Sequence, residues 1–505
     1  MTKQLLMGVD IGTSSSKGVL VEVSSGQVVA RKVIEHAVRM PKPGWVEQDA
    51  EETWWGEFVE ISRHLIQQAD VDPKNILGIG VSGIGPCVLP VDKDHNPLRP
   101  AILYGIDTRA TAEILQFENA LGREKIFQLA GCQLSSSSTA PKILWIANHE
   151  PRVFHETRWF LTCQSYIVLK LTGIPSIDAY TASTYSPIID VERIAWMDEK
   201  IAGINPRACL PDIHWTSEIV GNVTAEAAQV TGLAAGTPII AGTIDAAAEA
   251  ISIGLSNIGE MMMMFGSSNS IILRTDKFVR SRSFWGLNWL LPETYALVGG
   301  MATVGSLSRW FLENIYHIKN LKENENPYTA MAELLHQSPP GANKLIALPY
   351  FEGERTPISD PFAKGSLFGL TLRHTQADIY RALLEGVGFG IRHNIESLRG
   401  EGVRAERILS VGGGSNNLGW MQLICDICNI TMEIPASQSG SSYGDAFLAG
   451  MGVGVFDEIS DIHHWLEPGV TLRPQSELHH QYLPLYEIYL ELYQQTKGLM
   501  KRLSD

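Results

Sequence analysis

The sequence predicts two α/β domains with mixed sheets, and three observations carry that prediction. A chain of 505 residues, 45% hydrophobic and 19% charged, is too long for one ordinary core and too apolar for disorder. A strand, a polar turn and a second strand occur in succession twice, about half the chain apart. Helical and extended patterns alternate between and after these units, as layered α/β domains require. The boundary is expected near residue 250, giving domains over 1–250 and 251–505.

The first unit reads as a strand over residues 5–10, a turn GTSSSKG and a return strand over 19–23. Asp49 and Glu52 have capping-box spacing before a helix through Trp54, Phe58, Ile61 and Leu65. Strands are expected over 76–81 and 88–91, and a helix from about Ala110. Residues 238–241 form a strand-like run into Gly242-Thr243-Ile244-Asp245, and AAAEAISIG then favours helix. The second unit has strands over 261–265 and 271–273 around GSSNS, with Gly266 matching Gly12. A strand over 408–411, a glycine turn over 412–417 and a helix over 418–428 follow. Residues 482–502 are amphipathic with both charge signs on the polar face, which predicts a docking helix and not a membrane-surface one.

Forty Lys and Arg against fifty-five Asp and Glu leave a net charge of −15, which excludes a free-standing nucleic-acid binder as a class. The N-terminus has no secretory apolar region, and the least polar long segment, 238–255, carries Asp245 and Glu249. No membrane partner and a cytoplasmic location are therefore expected. Six cysteines fit a reducing compartment, with Cys425 and Cys428 read as a buried structural pair.

Several residues could carry chemistry. Asp10 ends a strand before a Gly-, Ser- and Thr-rich turn, so its carboxylate could face a metal while Gly12, Thr13, Ser14 and Lys17 face phosphate oxygens. A solvated hairpin tip is the plain alternative, against which the recurrence at Gly266 and Ser267 counts. In VGGGSNNLGWMQLICD, glycines follow a strand and precede a helix, where backbone can approach a nucleotide; a structural tight turn also fits. GSSYGDAFLAG reads mainly as close helix packing, with Asp445 as a helix-start carboxylate. Asp245, at the head of a helix, is the candidate general base, and an N-cap role explains it equally well. Asp107 and Arg109 precede another helix, where a cap with a surface cation is the plain alternative; Trp45 with Glu47 and Gln48 offers an aromatic platform beside hydrogen-bonding groups suited to a polyhydroxylated substrate, and a folded loop anchored by Trp45 explains it equally well.

In order, MGVDIGTSSSKG, PGWVEQDAEETWW, YGIDTRA, AGTIDAAAEA, FGSSNS, the block from PYFEGERTP to LLEGVGF, and VGGGSNNLGWMQLICD resemble the FGGY carbohydrate kinase family over nearly the whole chain. The resemblance implies two ribonuclease H-like domains of the actin-like ATPase type, with mixed sheets and a cleft between them that takes ATP and a sugar. It implies Asp10 as the Mg²⁺-associated carboxylate, with Gly12, Thr13, Ser14 and Lys17 near the terminal phosphates. It further implies Asp245 as catalytic base, Gly266 and Ser267 as the second phosphate turn, and Gly413, Gly414, Ser415 and Asn417 as the adenosine-side loop. Asp107 matches a substrate-binding aspartate, and Trp45 adjoins it as a candidate sugar contact.

The implied activity is ATP-dependent phosphorylation of a terminal hydroxyl of a small sugar, first a ketopentose as in xylulokinase-like members. Gluconate, glycerol or another polyol is the alternative within the family. An actin-like ATPase gating a protein partner, or a catalytically silent sugar sensor, is the alternative outside it; a homodimer is left open. One departure stands out: VSGIGPC puts Ile84 where xylulokinases usually carry a substrate-facing Gln, so D-xylulose is expected to be a poor substrate.

Overall fold

The computed structural model describes residues 3–316, 327–436 and 439–504. The chain forms two compact units. The first contains Met1–Ser256, Thr275–Ala296 and Ser439–Glu467; the second contains Asn257–Arg274, Leu297–Gln438 and Pro468–Asp505.

The sheet of the first unit is built from β1 (Leu5–Ile11), β2 (Ser15–Glu22), β3 (Val28–Glu35), β4 (Ile76–Gly83), β5 (Ile219–Asn222), β6 (Pro238–Ile240) and β7 (Thr243–Ile244). Its order is β5-β6-β4-β1-β2-β3, with β7 also on β4. The β1–β2 and β2–β3 pairs are antiparallel; β4 runs parallel to β1, β6 and β7. The sheet is therefore mixed, as expected. The polar tip between β1 and β2 is shorter than the sequence suggested, because Ser15, Ser16 and Lys17 already pair in the ladder.

The second unit repeats this plan. In β8 (Glu260–Phe265), β9 (Asn269–Thr275), β10 (Arg407–Val411), β11 (Thr431–Ile434) and β12 (Val470–Leu472), β8 pairs antiparallel with β9 and parallel with β10. Then β10 runs parallel to β11, and β12 closes antiparallel on β11. Each sheet thus has a hairpin whose first strand is also the first of a parallel run. Gly12 and Gly266 occupy the same place in the two plans.

Every residue of β1 is buried, so both faces of the strand are covered. Leu5, Met7, Val9 and Ile11 join the core cluster that includes Phe58, Ile61 and Leu65 of the helix Gly56–Ala69. Side chains alternate, so Leu6, Gly8 and Asp10 share the other face. There the helix Ser441–Gly452 lies on the sheet at backbone distance: a Cβ on Gly8 would meet Ser442 O at 1.8 Å, and one on Gly80 would meet Asp445 O at 2.2 Å. Gly444 does the same toward the helix Asp245–Ser252, where a Cβ would meet Ala248 O at 2.0 Å. The close packing read from GSSYGDAFLAG is present.

Asp49 caps its helical turn by accepting from Glu51 and Glu52 N–H, while the Glu52 carboxylate pairs with Arg39 and does not complete a capping box. Both cysteines of the CxxC are buried free thiols. The final helix, Ser476–Arg502, begins six residues before its amphipathic stretch, and Tyr482, Tyr486, Tyr489 and Tyr493 are buried along it. No helix among the described residues is long and apolar enough to cross a membrane.

Gly80→Ala should destabilise the protein by about 1–3 kcal/mol, because its methyl group meets helix backbone that cannot rotate away. Denaturant unfolding measures this, and an unchanged midpoint would show that the helix is not seated as described.

Candidate active site

The strand periodicity that puts Gly8 under the helix Ser441–Gly452 also puts Asp10 on that face, at the end of β1. Ser82 stands opposite Asp10 in the parallel register of β1 and β4, and Thr243 stands opposite Ser82 from β7. The strand-to-helix junction after β7 then delivers Asp245. Asp445 arrives from above, on the second turn of its helix.

These groups form one acidic cluster. The Ser82 hydroxyl lies 3.2 Å from Asp10 Oδ1 and 2.7 Å from Asp445 Oδ2. A hydroxyl has one proton, so it can donate to only one of these carboxyls; the other must donate to it or stay unpaired. Asp445 is 1% exposed, and its Oδ1 has no hydrogen-bond partner among the described residues. Burial, with the charges of Asp10 and Asp245 adding to it, raises Asp445 well above the usual carboxylate range. A protonated Asp445 donating through Oδ2 to Ser82, which donates in turn to Asp10, gives each of the three groups a partner. Asp10 itself is pushed up to about 6 by burial, against the charge of Lys17 and the Ser82 hydrogen bond.

Asp245 is the first residue of its helix. The capping position belongs to Ile244, so the N-cap reading of Asp245 does not hold. Its carboxylate accepts from the adjacent Ala246 N–H at 2.7 Å. Burial, then the charge of Asp10, pushes Asp245 up to about 8. Glu249, one turn along, is also raised by burial and by Asp10. Sequence reasoning missed Ser82, Glu249 and the place of Asp445. The stripe of Gly8, Gly78 and Gly80 on two neighbouring strands was the available signal that a helix comes down on this face.

The two polar turns share a backbone arrangement. In the first, Gly12 N–H donates to Ser15 O at 3.0 Å, and Lys17 lies on β2 opposite Asp10. In the second, Gly266 N–H donates to Ser268 O at 3.0 Å, while Gly305 and Ser306 N–H donate to the carbonyls of Gly266 and Ser267 at 2.9 and 3.1 Å. The glycine loop divides by role. Gly412 (φ +92°) and Gly414 lie against Phe265, where a Cβ would come within 2.7 and 2.9 Å, whereas a Cβ on Gly413 would meet nothing within 4 Å. Ser415 is buried with its hydroxyl on Gly412 O at 2.6 Å, and Asn417 caps the helix Leu418–Cys428 through Trp420 N–H at 3.1 Å.

The sugar-side candidates are more internally engaged than the sequence suggested. Asp107 accepts from Val46 N–H at 2.6 Å and from Arg109 Nη2 at 2.7 Å, with Arg109 Nε and N–H on Oδ1. Arg109 turns fully inward, also pairing with Glu47 at 2.8 Å, and its guanidinium lies 4.1 Å from the Trp45 ring centroid. Ile84, the candidate substrate contact just after β4, is 1% exposed and packs in the core cluster.

Among the described residues no three His, Cys, Asp or Glu side chains come together as a metal cage. The donors around Asp10 are oxygen only, which suits a hard divalent cation held by one carboxylate, with water and phosphate completing its shell.

A hairpin-borne carboxylate beside a helix-start carboxylate, and a polar turn of the same kind in each of two mixed sheets, agree with the sequence comparisons. The N-terminal domain of the FGGY family of carbohydrate kinases matches residues 5–252, and its C-terminal domain matches residues 261–453. The chain belongs to the FGGY family of carbohydrate kinases. It is an ATP-dependent sugar kinase with the two-domain fold of that family. It is 28% identical to the xylulose kinase of Bacillus subtilis (strain 168) over 99% of both chains. The crystal structure of xylulose kinase from Rhodospirillum rubrum superposes with a TM-score of 0.90 at 29% identity, covering 98% of this chain and 99% of that one. A gluconate kinase from Lactobacillus acidophilus superposes with a TM-score of 0.89 over 98% of each chain, and at 24% identity it shows the fold alone.

The raised carboxyls make a pH prediction for this kinase without ligands. The folded protein keeps the Asp245 proton up to about 8, against 3.8 ordinarily, so stability is full below that lower value and is lost as pH rises through the higher one. The melting temperature of Asp245→Asn relative to wild type should rise by roughly 2–5 °C between pH 5 and pH 9. A difference that stays the same at both values would show that Asp245 is not held protonated by its surroundings.

Proposed function

We propose that this kinase transfers the γ-phosphoryl group of ATP to a terminal hydroxyl of a pentulose, with Asp245 as general base. The observation that carries the reading is the position of Asp245: a carboxyl at a helix start, beside Asp10, with a raised proton affinity and no partner that fixes it as a cap. A base of that strength is matched to a hydroxyl proton near neutral pH once its own proton has left. Asp10 is the carboxylate that would hold Mg²⁺, which when bound neutralises phosphate charge. A cation held beside Asp10 would offset the negative charge that raises Asp245, so Asp245 would give up its own proton more readily. Asp245 then takes the proton as the sugar oxygen attacks phosphorus in line.

Gly12, Thr13 and Ser14, with Lys17 close by, are assigned to the terminal phosphates, and Gly266 and Ser267 to the second phosphate contact. Of the glycine loop, Gly413 is assigned to close approach of the adenosine, while Gly414, Ser415 and Asn417 shape the loop around it. Asp107 serves the sugar by fixing Val46 and Arg109, and through Arg109 the ring of Trp45. The pentulose reading rests on relatives named xylulose kinase that match over full length; nothing comparable supports a partner-gated ATPase or a silent sensor. A homodimer and a cytoplasmic setting remain parts of this proposal.

Asp245→Asn should lower kcat by roughly 10²–10⁴ while leaving ATP affinity within a few-fold. ADP release should be fastest, per kcat/KM, with a pentulose in a panel that includes D-xylulose, other pentuloses, gluconate and glycerol. ATP turnover that no sugar stimulates, or near-normal turnover in Asp245→Asn, would overturn the reading.

A further inference from the structure

The first phosphate turn is held from behind by two side chains that no part of the reaction uses. His36 follows β3, and its backbone N–H donates to Ser14 O at 3.0 Å. Its ring stands between Glu57 Oε2, 2.9 Å from Nδ1, and Gly12 O, 3.1 Å from Nε2. Both partners are acceptors, so the ring satisfies both only as an imidazolium, with a proton on each nitrogen. Gln48 is 1% exposed, and its amide nitrogen lies 3.0 Å from Thr13 O and 3.4 Å from Gly12 O. Its orientation is fixed, because the Trp54 indole N–H can only donate and does so to Gln48 Oε1 at 2.9 Å.

The consequence follows from peptide planarity. In a trans peptide the N–H points opposite to the C=O of the same plane. With the carbonyls of Gly12 and Thr13 drawn toward His36 and Gln48, the N–H groups of Thr13 and Ser14 point the other way. The second turn reaches the same state differently: the carbonyls of Gly266 and Ser267 are held by backbone N–H groups of Gly305 and Ser306. That pairing has no titratable member, whereas the first has one.

We propose that His36 is a positioning residue for the nucleotide's phosphates, bridging Glu57 and Gly12 O as an imidazolium so that the first turn presents its N–H groups in a pH-dependent way. This rests on the reading that the Gly12 turn holds the terminal phosphates. The groups facing the ring are Glu57 from the helix Gly56–Ala69, the Gln48 amide, and the carbonyls of Gly12 and Thr13. Burial works against the charged ring, but the hydrogen bond and charge of Glu57, joined by the two carbonyls, outweigh it and raise its pKa. Stabilisation of the turn is therefore full at low pH and lost as pH rises through that raised value. In the neutral ring, with its proton on Nδ1, a bare Nε2 can no longer donate to Gly12 O and instead accepts one of the two Gln48 amide protons, 3.1 Å away, so Gly12 O loses its imidazole donor.

Calorimetric binding of the β,γ-imido analogue of ATP and of adenosine, from pH 5.5 to 8.5, tests this in wild type and in His36→Phe, His36→Gln and Gly12→Ala. His36→Phe should weaken the analogue about tenfold at low pH and leave adenosine unchanged. His36→Gln keeps one neutral donor, so its affinity should lie between the two without the wild-type step in pH. Titration of the analogue and of the acidic cluster is common to all variants, so the difference isolates His36. Analogue pH profiles for both His36 variants that superimpose on wild type would overturn the proposal. Gly12→Ala separates it from the reading beneath: its Cβ meets Ser15 O at 2.9 Å and should disturb the turn at every pH. Unchanged analogue affinity there would refute the phosphate turn itself. Loss there with silent His36 variants would refute only the role of His36. Adenosine binding reports folding throughout.

Discussion

Asp10, Asp245, Asp445 and Glu249 share one poorly solvated region, and they cannot all be ionised there at once. That constraint orders much of the first unit. Gly8 and Gly80 let the helix carrying Asp445 touch the sheet, and Gly444 lets that helix touch the one that begins at Asp245. A side chain at any of these glycines would part the carboxyls and remove their mutual repulsion. The packing thus stores an excess of negative potential. Protons on these carboxyls hold that potential in check, and a cation beside Asp10 would relieve it, which would couple proton release to cation entry.

The two hairpin turns show how a duplicated fold can reach one geometry by different chemistry. In each, carbonyls are captured behind the turn so that N–H groups face outward. The second unit uses backbone donors at the start of a helix, permitted by Gly305, whose Cβ would sit 2.4 Å from Gly266 O. The first uses the side chains of His36 and Gln48. Backbone donors hold their protons at every working pH, and an imidazolium does not. The asymmetry places pH sensitivity on one turn alone.

What the sequence disclosed was local. The two hairpins, the glycine loop, the helix Leu418–Cys428 and the positions of Asp10 and Asp245 follow from periodicity and turn chemistry within a few residues. Asp445 was read as a helix-start carboxylate because its partner, Ser82, is 363 residues away and only the packing of a distant helix on β4 brings them together. Ile84, between a strand end and a Gly-Pro pair, packs in the core cluster, a burial that local pattern did not disclose. Asp107 and Arg109 are two residues apart and were visible as a pair, but spacing does not tell whether a guanidinium turns outward or closes on its neighbour. Gln48 was read as a sugar contact because its real partners are backbone carbonyls, which carry no residue identity.

Whether the ligand-free protein holds protons on these buried carboxyls at neutral pH is read by infrared difference spectroscopy at pH 7 of wild type against Asp445→Asn and Asp245→Asn. Wild type should show a protonated-carboxyl C=O stretch that weakens in each variant and falls when the Mg²⁺ complex of a non-hydrolysable ATP analogue is added. A wild-type spectrum with carboxylate bands alone would contradict that protonation.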